Sequence, residues 1–410
     1  MFKVRNLILL TLLMFLAVLG NSNQSSAFVM WDDSDIMTEK VNGVTYTYCY
    51  TTNGKECWIR KIKVPSSKST LKVPKRLDGV EVTRIGYPNT EEMEYSEATQ
   101  NIFHVAAGEG ARFQANQKNL KKIILPDTIT NILHASFAGL VNLQEINLPN
   151  ELIELDGGVF WNCKKLKKVH IPKSTTILTN GTFGGCTSLE KITIAKDNTR
   201  YMVYKDCILS KDKTIYYGPS KDSDKLRVPV GVTQMKSLTA GTFKVNKLYL
   251  PKTLEKIEKS SGVIGGETQC IINKKNLTYG NAGKHIYNKK TGELVLAFVD
   301  NGVVKIPGRV KKITESSIAI GEKKIHKVII PESVKIIESN WNTNWSFKYN
   351  REIHFLGKKP PVAASKYAVM LRAKYFAPKR SVKAYKKWLK EEVVFPEMST
   401  LNGKRLPENK

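Results

Sequence analysis

The sequence predicts a β-solenoid, a fold in which short coils of chain stack and share one long core. First, apolar residues recur every 23 residues between Leu120 and Asn198. Second, most copies carry a proline directly after a short apolar and polar alternation. Third, one phenylalanine recurs later in each copy. Units that cannot bury their own apolar face must stack on their neighbours. The repeated positions are Leu120, Leu143, Leu166 and Leu189; Ile123, Ile146, Val169 and Ile192; Leu125, Leu148, Ile171 and Ile194; Pro126, Pro149 and Pro172; and Phe137, Phe160 and Phe183.

One copy, from Leu143 to Lys165, shows how each unit should fold. The segment Ile146-Asn147-Leu148 alternates apolar and polar residues, which predicts a short, half-buried strand. Pro149 should end that strand because proline cannot donate to a sheet ladder. A return loop with one inward aromatic then completes a coil. Stacked coils would form one parallel sheet with strands about 4.8 Å apart.

These repeats resemble the BspA-like leucine-rich repeats of secreted and surface proteins in bacteria and some parasitic protists. The resemblance extends from about Leu71 to the C-terminal helix, and Leu77 to Gly86 matches an opening phrase of the family. It implies a leucine-rich repeat solenoid and a role in adhesion or host contact. The repeat pattern identifies the fold specifically but gives almost no information about the ligand.

Residues 1–27 have the pattern of a secretory signal peptide. Lys3 and Arg5 form a basic start, Leu7 to Leu19 is apolar, and Ser25-Ser26-Ala27 offers small residues for cleavage. We therefore expect a secreted, extracellular protein that is either released into the medium or retained on the cell wall. No membrane span is expected after removal of the leader, and an uncleaved anchor is the alternative.

Residues 28–70 are predicted to form an N-terminal cap built on a hairpin. Tyr46, Tyr48 and Tyr50 alternate before Asn53-Gly54, which is a strong hairpin signal. Such a cap would cover the open sheet edge of the first coil. Cys49 and Cys57 flank the turn and could form a disulfide outside the cell, or they could remain free thiols.

The solenoid is predicted over residues 71–357, with an insertion loop at 87–119 that breaks the repeat. Two later units are longer than 23 residues and align with each other. Asn198 aligns with Asn276 and Tyr201 with Tyr279, and both units have a turn-rich centre between apolar runs. We predict β-hairpins inserted into these two coils.

Residues 358–410 should form a C-terminal cap and tail. From about Ser381 a helix is predicted, with Val382, Tyr385, Trp388 and Leu389 on one face and lysines around the rest. A similar phrase caps the array in the family that the repeats resemble. A basic amphipathic helix could instead lie on an acidic membrane.

The predicted sheet displays a basic face. In each strand the first and third positions should point to solvent, and lysine occupies six of ten first positions. Like charges opposed on neighbouring strands are unfavourable, so these lysines need either solvent screening or an anionic counterpart. The residues predicted to contact a partner are Lys122, Lys168, His170, Lys191, Lys225, Arg227, Lys247, Tyr249, Lys305 and Lys327.

The formal net charge of +28 becomes +26 when Lys3 and Arg5 leave with the leader. This charge predicts association with polyanions at low salt. The expected partner is an anionic macromolecule, either a host surface protein or glycan or a cell-wall polyanion. Nucleic acid is not expected because no recognised binding module is present. The alternative is a structural wall-associated protein held by non-specific charge.

No catalytic motif, metal-ligand spacing or phosphate loop occurs in the sequence, and the six histidines are scattered. We therefore predict a protein that is not an enzyme, that uses no cofactor or metal, and that acts as a monomer. Cys163, Cys186 and Cys270 fall on core positions of the repeat and should behave as small apolar residues.

Overall fold

The chain divides into two compact units, Met1–Ile36 and Met37–Lys410. The computed structural model describes residues 36–51, 54–86, 119–179, 181–236, 242–258, 268–314, 325–338, 352–364 and 374–391. The leader predicted at 1–27 and nearly all of the insertion predicted at 87–119 lie outside these residues.

Almost all of the regular structure in the described residues is short β-strand. The strands in the first half are β1 (Met37–Val41), β2 (Val44–Tyr50), β3 (Glu56–Lys63), β4 (Thr70–Lys72), β5 (Arg76–Leu77), β6 (Val80–Ile85), β7 (Lys122–Ile124), β8 (Asn131–Ile132), β9 (Glu145–Ile146), β10 (Glu154–Leu155), β11 (Lys168–Ile171), β12 (Ile177–Leu178), β13 (Lys191–Ile194), β14 (Tyr201–Tyr204), β15 (Cys207–Ser210) and β16 (Ile215–Pro219). Those in the second half are β17 (Ser223–Arg227), β18 (Gln234–Met235), β19 (Val245–Leu250), β20 (Lys256–Ile257), β21 (Gln269–Ile272), β22 (Tyr279–Ala282), β23 (His285–Asn288), β24 (Glu293–Leu296), β25 (Val303–Lys305), β26 (Lys312–Ile313), β27 (Lys327–Ile330), β28 (Ile336–Ile337), β29 (Glu352–Phe355), β30 (Val362–Ala363) and β31 (Lys374–Phe376).

The stacked coils form a β-solenoid with two walls. One wall, the front sheet, holds the strand of each coil that the repeat pattern predicted. Its segments are β4-β7-β9, β11-β13, β17-β19-β21 and β25-β27-β29-β31. The other wall, the back sheet, is built on a second strand of two residues in most coils. Its segments are β1-β2-β3-β6-β8-β10-β12, β14-β15-β16-β18-β20 and β22-β23-β24-β26-β28-β30, and β5 pairs with β6.

The sequence predicted the front sheet and missed the back one. Strands such as β10 pair in parallel with their neighbours on both sides, yet each contributes only two residues. A two-residue strand is too short to show the period-2 alternation on which sequence reasoning depends. The single sheet of the prediction is therefore two sheets, each broken into segments.

One coil shows how the local sequence produces this path. After β9, the Leu152 N–H donates to the Pro149 carbonyl at 3.0 Å, which closes a turn directly behind the proline. β10 follows, and Gly158 then adopts a φ of +64° at the corner that leads to the buried phenylalanine. Gly181 has the same place and a φ of +73° in the next coil. Glycine suits this corner because it populates positive φ without a steric penalty.

The core runs along the stack as a series of overlapping clusters. Phe137, Phe160 and Phe183 lie on top of one another, with ring centroids 5.8 Å and 5.7 Å apart and ring planes within 13° of parallel. Each is essentially inaccessible to solvent. Val169 and Ile192 are also buried in front-sheet strands, as the repeat predicts. Each coil packs mainly on its neighbours, as expected for a solenoid.

The predicted N-terminal hairpin is present as β2 and β3, which pair antiparallel. β1 adds a third antiparallel strand to it. β3 then pairs in parallel with β6, so the hairpin is the first part of the back sheet. β1 is therefore the free edge of the back sheet, and the hairpin lies between it and the parallel strands of the coils.

The two long coils contain the predicted insertions, each of which is a three-stranded antiparallel meander. β14, β15 and β16 form the first, and β22, β23 and β24 form the second. The third strand of each meander pairs in parallel with the next back-sheet strand, β18 or β26. The inserted segments therefore restart the back sheet.

A buried asparagine begins each meander. Asn198 donates through Nδ2 to the carbonyls of Pro172 and Thr175 at 2.8 and 2.9 Å, which belong to the preceding coil. Its Oδ1 accepts the backbone N–H groups of Arg200 and Tyr201 at 2.9 and 2.7 Å. Asn276 repeats this arrangement in the second long coil.

A tyrosine three residues later ends the previous segment of the back sheet. The Tyr201 hydroxyl accepts the Leu178 N–H at 3.0 Å and donates to the Thr176 carbonyl at 3.1 Å. The Tyr279 hydroxyl accepts the Ile257 N–H at 3.1 Å. These hydroxyls occupy the ladder positions of a missing strand, so the last N–H group of each segment remains satisfied. The side-chain bonds of the asparagine and of the tyrosine hydroxyl thus explain why Asn198 and Tyr201 align with Asn276 and Tyr279 in the two long coils.

The last of the described residues form a 3-10 turn, Lys379–Ser381, and a helix, α1 (Val382–Glu391). The apolar face of α1 is buried: Tyr385 and Trp388 pack on Phe355 of the last coils, with ring centroids 4.9 and 5.5 Å away. The predicted cap is confirmed, because the face that a membrane would need is already covered. Among the described helices, none has the length and apolar character to cross a bilayer.

All six cysteines are buried. No disulfide joins Cys49 and Cys57 in this structure, and the bridge that the sequence left open stays a matter for the thiol titration below. Cys49 lies opposite Trp58 in the hairpin and packs with it, whereas Cys57 lies opposite Tyr50 and belongs to the main core. Adjacent strand residues point to opposite faces, so the two side chains are on different sides of the hairpin.

We expect no thiol of the native protein to react with Ellman's reagent at about pH 8, because the thiolate is the nucleophile. Burial raises the pKa of Cys57, Cys186 and Cys207 to about 12 and raises those of Cys163 and Cys270 as well. After unfolding in guanidinium, all six thiols should react. A titre of four after unfolding would instead show that Cys49 and Cys57 are bridged.

Candidate binding surface on the front sheet

The front sheet presents two outward columns of side chains, with the inward residues between them. In β11 and β13, Lys168 lies opposite Lys191 and His170 opposite Thr193. The intervening Val169 is buried. The same register places Lys225 opposite Lys247 and Arg227 opposite Tyr249 in β17 and β19. All ten predicted contact residues occupy outward positions of front-sheet strands.

The row of outward lysines along the front sheet is interrupted between β13 and β17. β13 and β17 belong to different sheet segments. The first meander intervenes, and the Ile192 N–H donates to the Ser220 carbonyl, five residues before Lys225. The structure therefore brings together two lysine pairs, Lys168 with Lys191 and Lys225 with Lys247, with a break between them.

Toward the two ends of the front sheet, carboxylates oppose the lysines. Lys122 lies across from Glu145 and their charged atoms are 2.8 Å apart. Lys327 lies across from Glu352 at 3.8 Å. The hydrogen bond from Lys122 holds the pKa of the Glu145 carboxyl below its ordinary value. A hydrogen bond from His354, and then the charges of His354, Lys327 and Lys374, lower the pKa of Glu352. The end positions are locally neutral.

Basic side chains are concentrated at the middle of the sheet, in a group that we name the basic centre: Lys168, His170, Lys191, Lys225, Arg227 and Lys247. Its lysines are exposed, and Lys191, Lys225 and Lys247 form no salt bridge to any residue in the described ranges. Lys168 has Glu190 at 3.9 Å, with both side chains largely exposed.

The second outward column contains side chains that fix one another. The Arg227 guanidinium lies 4.0 Å from the centre of the Tyr249 ring, which is within the range of a cation–π contact. His170 Nδ1 and Thr193 Oγ1 are 2.9 Å apart. Lys305 is exposed and lies opposite Ile329 in a separate segment of the sheet. Arg227 and His170 are therefore each ordered by a neighbour on the adjacent strand.

An open depression of about 640 Å³ adjoins the basic centre. It lies where β9 and β11 fall in separate sheet segments. The Asn147 side chain contributes to this gap because it turns back to the preceding coil, bonding the Leu125 N–H at 2.8 Å and the Leu125 carbonyl at 2.9 Å. The lining residues are Lys122, Ile123, Ile124, Gln144, Glu145, Ile146, Asn147, Lys167 and Lys168.

Sequence reasoning missed Lys167, Asn147 and Glu190 as parts of this surface. Asn147 appeared only as a polar strand residue, and its side-chain bonds to Leu125 depend on the exact approach of two coils. Glu190 lies at the 23-residue repeat of Lys167, so the repeat itself could have indicated a carboxylate beside the lysines.

The described residues contain no group of three or more His, Cys, Asp or Glu side chains that could hold a metal ion. The front sheet instead offers cations, an imidazole, a phenol and an open apolar floor. This set can form ion pairs and hydrogen bonds with an anionic partner and can cover apolar atoms. Such chemistry suits a binding surface on a repeat solenoid.

The fold and this surface define a leucine-rich repeat solenoid. Residues 111–215 match the family pattern described as "BspA type Leucine rich repeat region" in six copies. Residues 111–215 therefore consist of BspA-type leucine-rich repeats. Proteins with such repeats are typically non-enzymatic, and the match is consistent with a cell-surface repeat protein. A search of curated proteins found no match to the chain.

Solved structures with some similarity are also leucine-rich proteins or surface antigens. A leucine rich cell surface protein from Faecalibacterium prausnitzii is 14% identical, with 78% of this chain and 94% of that chain covered and a TM-score of 0.32. The pneumococcal vaccine antigen PcpA is 15% identical, with 87% and 96% covered and a TM-score of 0.36. A leucine-rich repeat protein from Eubacterium ventriosum is 16% identical, with 74% and 87% covered and a TM-score of 0.37. Similarities at this level carry no argument about the function of this chain.

Proposed function

We propose that this chain is a secreted or cell-surface binding protein that holds an anionic macromolecule on the basic centre of its front sheet. The supporting observation is the two pairs of directly opposed lysines, Lys168 with Lys191 and Lys225 with Lys247. Opposed like charges weaken a strand pair. An anion placed between the strands would remove that cost, whereas the ends of the sheet already have their own carboxylates.

The partner in this proposal is a host surface protein or glycan, or a cell-wall polyanion. Adhesion is then a multivalent contact in which lysines supply attraction and Arg227 and His170 supply directional hydrogen bonds. The apolar floor next to Lys168 would cover uncharged parts of the same partner. The work of the protein is binding, with no chemical turnover.

The alternative is a structural wall-associated protein held by its net charge, which is +28 for the full sequence and +26 without the leader. That charge favours association with any polyanion, without regard to position. Bulk attraction of this kind should fall smoothly with salt and should depend on the number of cations removed, not on their location.

The test replaces Lys168, Lys191, Lys225 and Lys247 together with glutamine. We expect binding to wall fragments from which phosphodiester polymers have been removed, or to acidic mucin, to weaken by about tenfold or more at ~0.15 M salt, because several exposed ion pairs are lost at once. Binding is measured by co-sedimentation over a salt series, and folding is checked by circular dichroism.

The matched control replaces Lys164, Lys173, Lys252 and Lys274 with glutamine. These lysines are exposed and form no ion pair or side-chain hydrogen bond with another described residue. Because four lysines are again replaced, the control has the same net charge as the front-sheet variant. A control that loses as much binding as the front-sheet variant supports the bulk-charge alternative. Unchanged binding of the front-sheet variant to both materials would exclude the basic centre.

A further inference from the structure

The C-terminal cap has a second concentration of positive charge, apart from the front sheet. The segments 352–364 and 374–391 contain nine lysines and arginines but only two carboxylates, Glu352 and Glu391. Glu352 already contacts Lys327 and His354. The cations are Lys358, Lys359, Lys374, Lys379, Arg380, Lys383, Lys386, Lys387 and Lys390, all exposed.

The helix α1 is held firmly by its inner face. The Tyr385 hydroxyl bonds the carbonyls of Gly357 and Lys359 at 3.2 and 3.0 Å. The Ser381 hydroxyl donates to the Lys358 carbonyl at 2.7 Å. Together with Tyr385 and Trp388 packed on Phe355, these contacts fix which side of the helix faces solvent.

The outer face of α1 is a stripe of four lysines, Lys383, Lys386, Lys387 and Lys390, which we name the cap stripe. At 100° and 1.5 Å per residue, these side chains fall within an arc of about 100° over ~10 Å of helix, opposite Tyr385 and Trp388. Glu391 lies 3.9 Å from Lys387, and both side chains are mostly exposed. Lys358 and Lys359 extend the cationic surface, because their carbonyls contact the helix.

This arrangement is unfavourable for the helix on its own. Lys383 with Lys387 and Lys386 with Lys390 are like-charge pairs at i,i+4, which destabilise a helix. The first turn has no acidic residue, and Arg380 precedes it, so cations lie near the positive end of the helix dipole. An anion along the stripe would relieve both effects.

We propose that the cap stripe is a binding surface for a flexible linear phosphodiester polymer. Lysine acts as a point charge that binds phosphate without a fixed geometry, which suits a flexible polymer, whereas the planar fork of arginine pairs with carboxylate or phosphate in a fixed geometry. The stripe is entirely lysine. Its aromatic residues, Tyr385 and Trp388, are buried, so it has no platform on which a nucleic acid base could stack and no apolar face for a membrane.

The site is separate from the basic centre and does not depend on it. The front sheet would recognise its partner through paired strands, and the cap would retain the protein on a polymer of repeating phosphates. The two surfaces can therefore be tested independently with variants of equal charge.

The experiment replaces Lys383, Lys386, Lys387 and Lys390 with glutamine in the full chain. Glutamine keeps helix propensity close to that of lysine and removes the repulsive pairs, so the cap should fold as well as before or better. The probe is deacylated poly(glycerol phosphate), and affinity is measured by isothermal titration at ~0.15 M salt. We expect affinity to fall by about tenfold or more.

Two controls have the same net charge. The control with Lys164, Lys173, Lys252 and Lys274 replaced by glutamine should lose less than about twofold in affinity for this probe. The front-sheet variant should also retain the affinity of the unmodified protein. If the front-sheet variant binds mucin and wall fragments as well as the unmodified protein, the proposed function is wrong but the proposal for the cap is unaffected.

Three results would overturn the proposal. The first is unchanged affinity of the cap variant, and the second is an equal loss in the control, which would indicate bulk charge. The third is tighter binding of heparin, single-stranded DNA or anionic lipid vesicles than of poly(glycerol phosphate), which would assign the stripe to a different class of polyanion.

Discussion

Replacing Phe160 with alanine should lower the free energy of unfolding by about 3–5 kcal/mol, the usual cost of truncating a buried phenylalanine. Phe160 is the middle ring of the stack with Phe137 and Phe183, and it is fully buried. The cavity would remove contacts in two directions, because the same ring packs on the coil before and the coil after. Urea unfolding followed by circular dichroism measures the change.

Trp161 provides the matched control for Phe160, since it is the next residue and has the larger side chain but is 48% exposed. Trp161→Ala should cost less than about 1 kcal/mol. Phe160→Leu should fall between the two. Equal losses for Phe160→Ala and Trp161→Ala would contradict the assignment of the phenylalanine stack as the continuous core.

Replacing Asn198 with alanine should cost about 3–5 kcal/mol, because it removes four hydrogen bonds from buried groups. The carbonyls of Pro172 and Thr175 lose their donor, and the N–H groups of Arg200 and Tyr201 lose their acceptor. Asn198 is completely buried, so water cannot replace these contacts without opening the coil. The loss should appear in urea unfolding and as faster hydrogen exchange of the Tyr201 amide.

The control for Asn198→Ala is Thr199→Ala, at an exposed neighbour in the same turn. We expect a change within about 0.5 kcal/mol there. Asn198→Asp should also be strongly destabilising, because the carboxylate cannot donate to the two carbonyls. A small effect of Asn198→Ala would show that the meander is held by its own strand pairing and not by this side chain.

The sequence by itself determined the solenoid, because a 23-residue period of apolar residues can be buried only by stacking. It also determined which side chains face outward: Val169 and Ile192 are buried and Lys168 and Lys191 are exposed, as the alternation predicted. These properties are local or strictly periodic. A regular spacing along the chain is enough to express them.

Only the tertiary structure decided how the outward residues combine. The break between Lys191 and Lys225 arises because a meander separates β13 from β17, and a meander shifts the register of the next coil. The pairing of Lys122 with Glu145, the turn of Asn147 toward Leu125 and the burial of Tyr385 under the last coils depend on contacts between distant segments. Alternation along one strand gives the face of a side chain but not its partner, since the partner depends on which coil lies beside it.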